Sequence, residues 1–443
     1  MSDFYNKLSG KKSEEQDTER IKMKDYLRNK ISTELAVKTA GMDLFGTTDK
    51  EVIRKVARWI NEIIEKSEVN LPIYEQRKLT EEMLLDITSL GKIHNFMIDL
   101  SISEIMVNAP DEVWIERGGK LELTNVKFRD NEEVMDLARK IAGHVNRRVD
   151  NSSPIVDARL PDGSRVHIVI PPIAMKGVTI TIRKFFQEKL GIQDLIKFGT
   201  ISPKAALFLE AAVKSRTNVV VSGGTGSGKT TTLNIVSNFV PDDERIVTIE
   251  DSAELQLANP HVVKLEARPA NQEGTGEVSI RHLVKASLRM RPERVIIGEI
   301  RDGAAFDLLQ AMNTGHDGSA CTVHSNNPDA CVSRLANLVL QAGFELPDKA
   351  IKEIIASAVD IVIQITRLKD GSRKITHIAE VSSFDPETGK VHTNNIFEWK
   401  QTGIKDGKLV GKMIYTGYTP TEDLLDKFEK HGLDFFSYVE GEE

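Results

Sequence analysis

Residues 218–236 read Asn218-Val219-Val220-Val221-Ser222-Gly223-Gly224-Thr225-Gly226-Ser227-Gly228-Lys229-Thr230-Thr231-Thr232-Leu233-Asn234-Ile235-Val236. A β-branched run leads into a loop matching G-x-x-x-x-G-K-[ST], and a stretch able to start a helix follows. That strand–loop–helix order is what a phosphate-binding loop requires. Glycine lets backbone wrap a phosphate where a side chain would clash, and successive N–H groups with the helix N-terminus then face the anion. The expected phosphate contacts are Gly223, Gly224, Thr225, Gly226, Ser227, Gly228, Lys229, Thr230 and Thr231. Lys229 is expected to reach the β/γ-phosphates, and Thr230 to hold Mg2+ through its hydroxyl. The alternative reading of the stretch is a plain glycine turn.

Downstream of the loop, strand and helix signals alternate. Strands are expected at Arg245–Glu250, His261–Glu266, Arg294–Ile297 and Ser319–His324, with helices at Ser279–Met290, Ala304–Asn313 and Asp329–Gln341. The alternation predicts an α/β sheet with parallel strands at its core. Beyond Val359 the pattern turns to hairpins: Asp360–Leu368, Lys374–Ser382 and Lys390–Trp399, then a helix over Thr421–His431. Upstream, period-two runs and the turn at Gly118-Gly119 predict an α+β domain over 101–185, with 186–200 as a linker. Residues 17–100 read as a helical bundle, in which Ile53, Val56, Ala57, Ile60 and Ile63-Ile64 share one face and Thr48 with Glu51 resembles a capping box. The first 16 residues are polar and charged and read as a disordered tail.

The chain has 443 residues, a net charge of −7 and two cysteines, Cys321 and Cys331. An acidic balance argues against a dedicated nucleic-acid binder, so no nucleic-acid partner is expected. Two cysteines exclude a disulfide scaffold and suit a reducing cytoplasm. No apolar run reaches the length of a membrane span, so work at a membrane is expected from its cytoplasmic side, through partners.

Three further segments carry chemistry. In Arg294-Val295-Ile296-Ile297-Gly298-Glu299-Ile300-Arg301-Asp302 an apolar strand ends in an acid, which would put Glu299 near Mg2+ at the carboxyl edge of the sheet. In Arg245–Glu254, Glu250 occupies a similar strand end. It is either a general base for hydrolysis, alone or shared with Glu299, or an acid capping the following turn. Thr314–Ser325 holds His316 and His324 around a strand, as γ-phosphate sensors or as structural residues. No N-K-x-D guanine motif is present, which favours ATP.

In this order, GGTGSGKT, IVTIED, VIIGEIRD and TGHDGSACTVHS resemble the motifs of the secretion-superfamily ATPases of type II and type IV secretion, type IV pili and archaeal flagella. Upstream, EIMVNAPDEVWIERGGKL and ARLPDGSRVHIVIPP…VTITIRKF look like the CpaF branch of Flp/Tad pilus assembly, and the resemblance spans roughly residues 70–400. It implies an α/β, RecA-like P-loop ATPase domain over 201–443 with C-terminal hairpins, preceded by the smaller α+β domain and the helical bundle. It further implies a homo-hexamer binding ATP between the two domains. The ring would be a motor on the inner face of the cytoplasmic membrane, working with an integral-membrane platform protein and other pilus assembly proteins. By motif position the catalytic set is Lys229, Glu250, Glu299 and His324, with Thr230 and Glu299 at the metal. Arg159, Arg165 and Arg183 are the candidates to reach the nucleotide from the upstream domain, and Arg289 and Arg291 are candidates to touch a neighbouring subunit. The competing readings are a nucleic-acid-translocating ring ATPase and a nucleotide-gated assembly scaffold.

Overall fold

The computed structural model describes residues 20, 22–39, 41–42, 44–47, 49–69, 71–145, 147–185, 190–270, 275–405 and 407–440. The tail over 1–16, Thr48 and the start of the linker lie outside them. The chain divides into two compact units, Met1–Gln187 and Glu188–Glu443.

The first unit opens with three helices: α1 over 22–38, α2 (Lys50–Glu65) and α3 (Ile73–Thr88). Leu27, Ile31, Val56, Ile60, Ile63, Leu79 and Met83 bury the stripes these helices present to one another. The helix α2 is capped by Asp49, whose carboxylate accepts from the amides of Glu51 and Val52. The cap therefore sits one residue after Thr48, because Asp49 leaves two first-turn amides satisfied.

After the short α4 (His94–Ile98) come β1 (Ile102–Ala109), β2 (Glu112–Arg117), β3 (Lys120–Leu123), α5 (Asn131–His144), β4 (Ile155–Arg159), β5 (Arg165–Val169) and β6 (Thr179–Arg183). The strands form one antiparallel sheet in the order β3-β2-β1-β6-β5-β4. Alternate residues, among them Ile105, Val107, Val166, Ile168, Ile180 and Ile182, pack with Val134, Ala138 and Ile141 of α5. The other face carries the polar alternates, the half-covered pattern of antiparallel strands.

The second unit begins with α6 (Ile192–Lys197), inside the stretch read as a linker, and α7 (Pro203–Lys214). There follow β7 (Val219–Gly223), α8 (Lys229–Ser237), β8 (Ile246–Glu250), β9 (Val262–Glu266), α9 (Ile280–Ser287), β10 (Arg294–Ile297), α10 (Ala304–Asn313), β11 (Ala320–His324), α11 (Pro328–Leu340) and α12 (Asp348–Ala358). The chain closes with β12 (Ile361–Arg367), β13 (Arg373–Asp385), β14 (Lys390–Lys405), β15 (Lys408–Tyr415), α13 (Glu422–Lys430) and α14 (Phe435–Val439). One nine-stranded sheet runs β15-β14-β13-β12-β7-β11-β10-β8-β9. From β12 to β9 its pairings are parallel, and from β12 to β15 they are antiparallel.

Both faces of the parallel part are covered. Val219, Val221 and Ile363 join α7, α8, α13 and α14 in one core, while Val220, Val362 and Val323 join α9 to α12 in the other. Double burial explains why these strands read as unbroken apolar runs rather than alternations. This is the RecA-like α/β architecture expected from the sequence. Several details differ from that reading. The Asp360–Leu368 stretch is not only half of a hairpin: β12 also pairs in parallel with β7, Ile361 opposite Val219. The helix α12 and the strand β15 are additional, and β14 continues past Trp399 to Lys405, since Phe397–Lys405 pairs along β15.

Candidate nucleotide-binding site

The carboxyl ends of β7, β8, β10, β11 and β12 lie along one edge of the sheet. His324 and Ile365 pair on either side of Gly223, and Ile297 pairs with Ile249. Strand order reverses about β7, and a reversal of that kind opens a crevice at the carboxyl edge of an α/β sheet.

The loop between β7 and α8 fills this position. A Cβ on Gly223 would lie 2.3 Å from the carbonyl oxygen of Ile365 and 2.5 Å from Ser227 Oγ, so only glycine fits where strand becomes loop. Gly226 and Gly228 take left-handed φ of 69° and 99°. Ser227 Oγ donates to the Gly224 carbonyl at 2.9 Å and closes the turn. The amides of Lys229, Thr230 and Thr231 open α8 with no acceptor among the described residues, the condition that makes a helix N-terminus an anion seat.

Lys229 is largely buried and folds back over the loop, donating to Gly224 O at 3.0 Å and lying 3.3 Å from both ring nitrogens of His324. His324 Nε2 is 3.0 Å from Glu299 Oε1, and Arg301 donates to Glu299 Oε2 at 2.9 Å. Arg301 also lies 3.5 Å from Asp251. A polar chain thus runs Lys229–His324–Glu299–Arg301–Asp251. Burial lowers the pKa of Lys229, and burial together with the Lys229 charge lowers that of His324, which keeps the imidazole neutral near pH 7. Burial of Glu299 favours its neutral form. The hydrogen bond and charge of Arg301, with the Lys229 charge, outweigh that and hold the carboxyl below its ordinary value, so it is ionised.

Glu250 stands apart from this chain. It is 3% exposed and accepts from the amides of Glu254 at 2.8 Å and Leu255 at 3.0 Å. Burial raises its carboxyl to about 7 against those two hydrogen bonds. A Cβ on Gly298 would sit 2.9 Å from Glu250 Cγ, so the glycine before Glu299 makes room for Glu250. In this geometry Glu250 does hold the turn that follows it.

Buried hydroxyls fix the strand ends. Thr322 Oγ1 donates to Gly298 O at 2.7 Å, ahead of Glu299. Ser222 Oγ is 2.7 Å from both Ser325 Oγ and Gln364 Oε1, joining β7, β12 and the loop after β11. Neither Arg301 nor Gln364 stood out in the sequence. Arg301 had one local signal, its place two residues after the strand-end acid.

His316 lies before β11, its ring 3.3 Å from the Ala311 carbonyl, at the opposite edge from His324. Arg289 and Arg291 precede β10, also at that opposite edge, and both are exposed. Arg159, Arg165 and Arg183 belong to the first unit. They pair directly across strands, Arg159 with Arg165 and Arg165 with Arg183, and the row continues through Glu104 to Glu116. Arg159 donates to the Gly163 carbonyl at 3.2 Å, and Arg183 lies 4.0 Å from Glu104.

Hard oxygen donors suit Mg2+, and the Thr230 hydroxyl and the Glu299 carboxylate are such donors at the carboxyl edge. Among the described residues no group of three or more His, Cys, Asp or Glu could hold a metal. Among the same residues no helix is long and apolar enough to cross a membrane.

A RecA-like sheet with a G-x-x-x-x-G-K-T loop at its strand reversal defines a P-loop nucleotide-binding protein. More narrowly, the chain belongs to the type II/IV secretion system protein family, a family of secretion ATPases, whose model matches residues 87–417. It is similar to a putative conjugal transfer protein of Mycobacterium tuberculosis, 38% identical over 300 residues that cover 66% of this chain and 85% of that one. It is also similar to the type IV secretion system protein VirB11 of Bartonella henselae, 32% identical over 337 residues, 67% of this chain and 93% of that one. Among solved structures, the VirB11 ATPase of the Brucella suis type IV secretion system, in complex with sulphate, is 30% identical. That match covers 68% of this chain and 97% of that chain, with a TM-score of 0.36.

Proposed function

We propose that this secretion ATPase is a hexameric motor that hydrolyses ATP to power Flp/Tad-type pilus assembly or related secretion at the cytoplasmic membrane. The observation that carries the hydrolytic reading is the ionised Glu299, held between His324 and Arg301 beside Lys229. In this reading the P-loop amides and Lys229 take the β- and γ-phosphates, and Thr230 and Glu299 hold Mg2+. The bound ion supplies positive charge to the phosphate oxygens. Glu299 orients the attacking water and accepts its proton, while neutral His324 gives its one N–H to Glu299 and holds that carboxylate beside the γ-phosphate. Glu250 positions the 252–255 turn. Arg159, Arg165 and Arg183 bring cationic charge to the nucleotide from the first unit, within or between subunits. The ring passes closure over ATP to an integral-membrane platform protein. The upstream RLPDGSR and TIRK segments support the Flp/Tad branch, and the relatives' names support type IV secretion or conjugal transfer as settings for the same motor.

The test is phosphate release by the purified chain with ATP and Mg2+. Lys229→Ala and Glu299→Gln are each expected to lose at least about a hundredfold in rate, a typical effect of removing a general base or an electrostatic stabiliser. Wild-type rates in both variants would overturn the assignment.

A further inference from the structure

The sheet order gives the crevice a direction. The strand β7 has β11 on one side and β12 on the other. His324 and Glu299 both lie at the carboxyl ends of strands on the β11 side, so a γ-phosphate seated against them leaves the nucleoside end of the nucleotide towards β12. The strand β12 does not stop at the loop. Ile365 pairs with Gly223, and the chain continues to Arg367, which pairs with Arg373 across the hairpin to β13. Arg373 Nε donates to the Gly226 carbonyl at 3.1 Å, and its Cδ lies 3.4 Å from a Cβ position on Gly228. Arg367 Nη1 lies 3.7 Å from a Cβ position on Gly226.

Two exposed guanidiniums therefore stand directly cross-strand against the tip of the phosphate loop. Among the described residues neither forms an ion pair with a carboxylate. Opposed like charges without a counter-charge cost stability, and the pair is not needed to satisfy the hairpin backbone. A guanidinium is planar and stacks on aromatic faces as well as pairing with anions. We infer that Arg367 and Arg373 form the nucleoside side of the pocket, stacking on the purine of bound ATP or ADP and fixing its position, while the residues on the β11 side act on the γ-phosphate. This rests on the ATP-binding reading above.

The experiment is equilibrium binding to the full chain of three probes: ATP, ADP and inorganic tripolyphosphate. In Arg367→Ala/Arg373→Ala, ATP and ADP are expected to bind roughly tenfold more weakly, the scale of losing stacking on one base, with tripolyphosphate held within about twofold. The single Arg367→Ala, which leaves the Arg373–Gly226 hydrogen bond in place, should show part of the loss with the same selectivity. Equal weakening of all three probes would mean that the arginines only brace the loop, and no weakening would mean that they do not touch the nucleotide. Either result overturns the inference. Wild-type protein that binds neither ATP nor tripolyphosphate would instead overturn the nucleotide-site reading itself.

Discussion

The strand that delivers Glu299 is anchored at its far end by a buried ion pair, and breaking that pair should uncouple stability from nucleotide affinity. Arg294, the first residue of β10, is 1% exposed. Its Nε and Nη2 donate to the two oxygens of Glu244 at 2.6 and 2.8 Å, and Nη1 donates to the Val213 carbonyl at 2.8 Å. Burial opposes ionisation of Glu244, but Arg294 and Arg216 outweigh it and hold its carboxyl below the ordinary value. Glu244→Ala removes both charge-assisted bonds and leaves a buried guanidinium unpaired. Breaking one partner of such a pair costs about 3–5 kcal/mol, while replacing both by apolar residues is often neutral. In a unit this large each kcal/mol moves Tm by about 2–4 °C, so a fall of roughly 10 °C is expected. Trp59→Phe/Trp114→Phe leaves Trp399, in β14, to report urea unfolding of the second unit. Glu244→Leu/Arg294→Met should recover to within about 2 kcal/mol of the parent. ATP affinity should hold in all variants, because the pair sits at the amino end of β10. A cost below about 1 kcal/mol for Glu244→Ala, or strict additivity in the double variant, would refute the reasoning.

Glu250 should make the second unit less stable as pH rises. Its folded-state carboxyl lies near 7, above the value of an exposed glutamate. The native state therefore binds the extra proton, and stability falls from about pH 4.5 to 7. Glu250→Gln should flatten that slope and gain up to about 3 kcal/mol at pH 8, with little gain at pH 4; parallel urea-midpoint profiles for variant and wild type would count against it. Gly223→Ala should destabilise by about 1–3 kcal/mol through overpacking against Ile365, whereas Gly224→Ala, whose Cβ meets nothing within 4 Å, should shift the midpoint little. Burial pushes both thiols up, Cys331 to about 12. Neither cysteine should react with an aromatic disulfide reagent at pH 8 in native protein, and both should react in denaturant; rapid labelling of folded protein would contradict their burial.

What the sequence made legible is what is encoded locally. The loop from Gly223 to Thr230, the acids after β8 and β10, and His324 each sit at a strand–loop junction that announces itself in consecutive residues. The parallel strands were readable because burial on both faces leaves no polar alternates. The place of β7 between β11 and β12 is set by pairings over a hundred residues apart, which no local pattern carries. Arg301, Gln364, Arg367 and Arg373 reach the crevice only through that order. The parallel role of β12 was hidden for the same reason, since a strand that is parallel on one side and antiparallel on the other looks like half a hairpin. The helix α12 is a different case. Ile351, Ile354-Ile355 and Ala358 carry helical spacing openly, and only the β-branched run from Val359 draws the reading towards strand.

The pairing of β7 also orders events during synthesis. Val219 has two neighbours in the sheet, Ala320 and Ile361, and Gly223 is walled by Ile365. A nascent chain that has just released the phosphate loop therefore has nothing for β7 to pair with. Contacts this distant in sequence form late. The loop acquires its first wall when β11 emerges and its second only with β12, after four intervening strand-and-helix segments have left the ribosome. Competence to hold ATP is thus among the last properties this unit acquires. A chain cut short anywhere before β12 carries the whole phosphate-loop motif yet lacks the strand that shapes it.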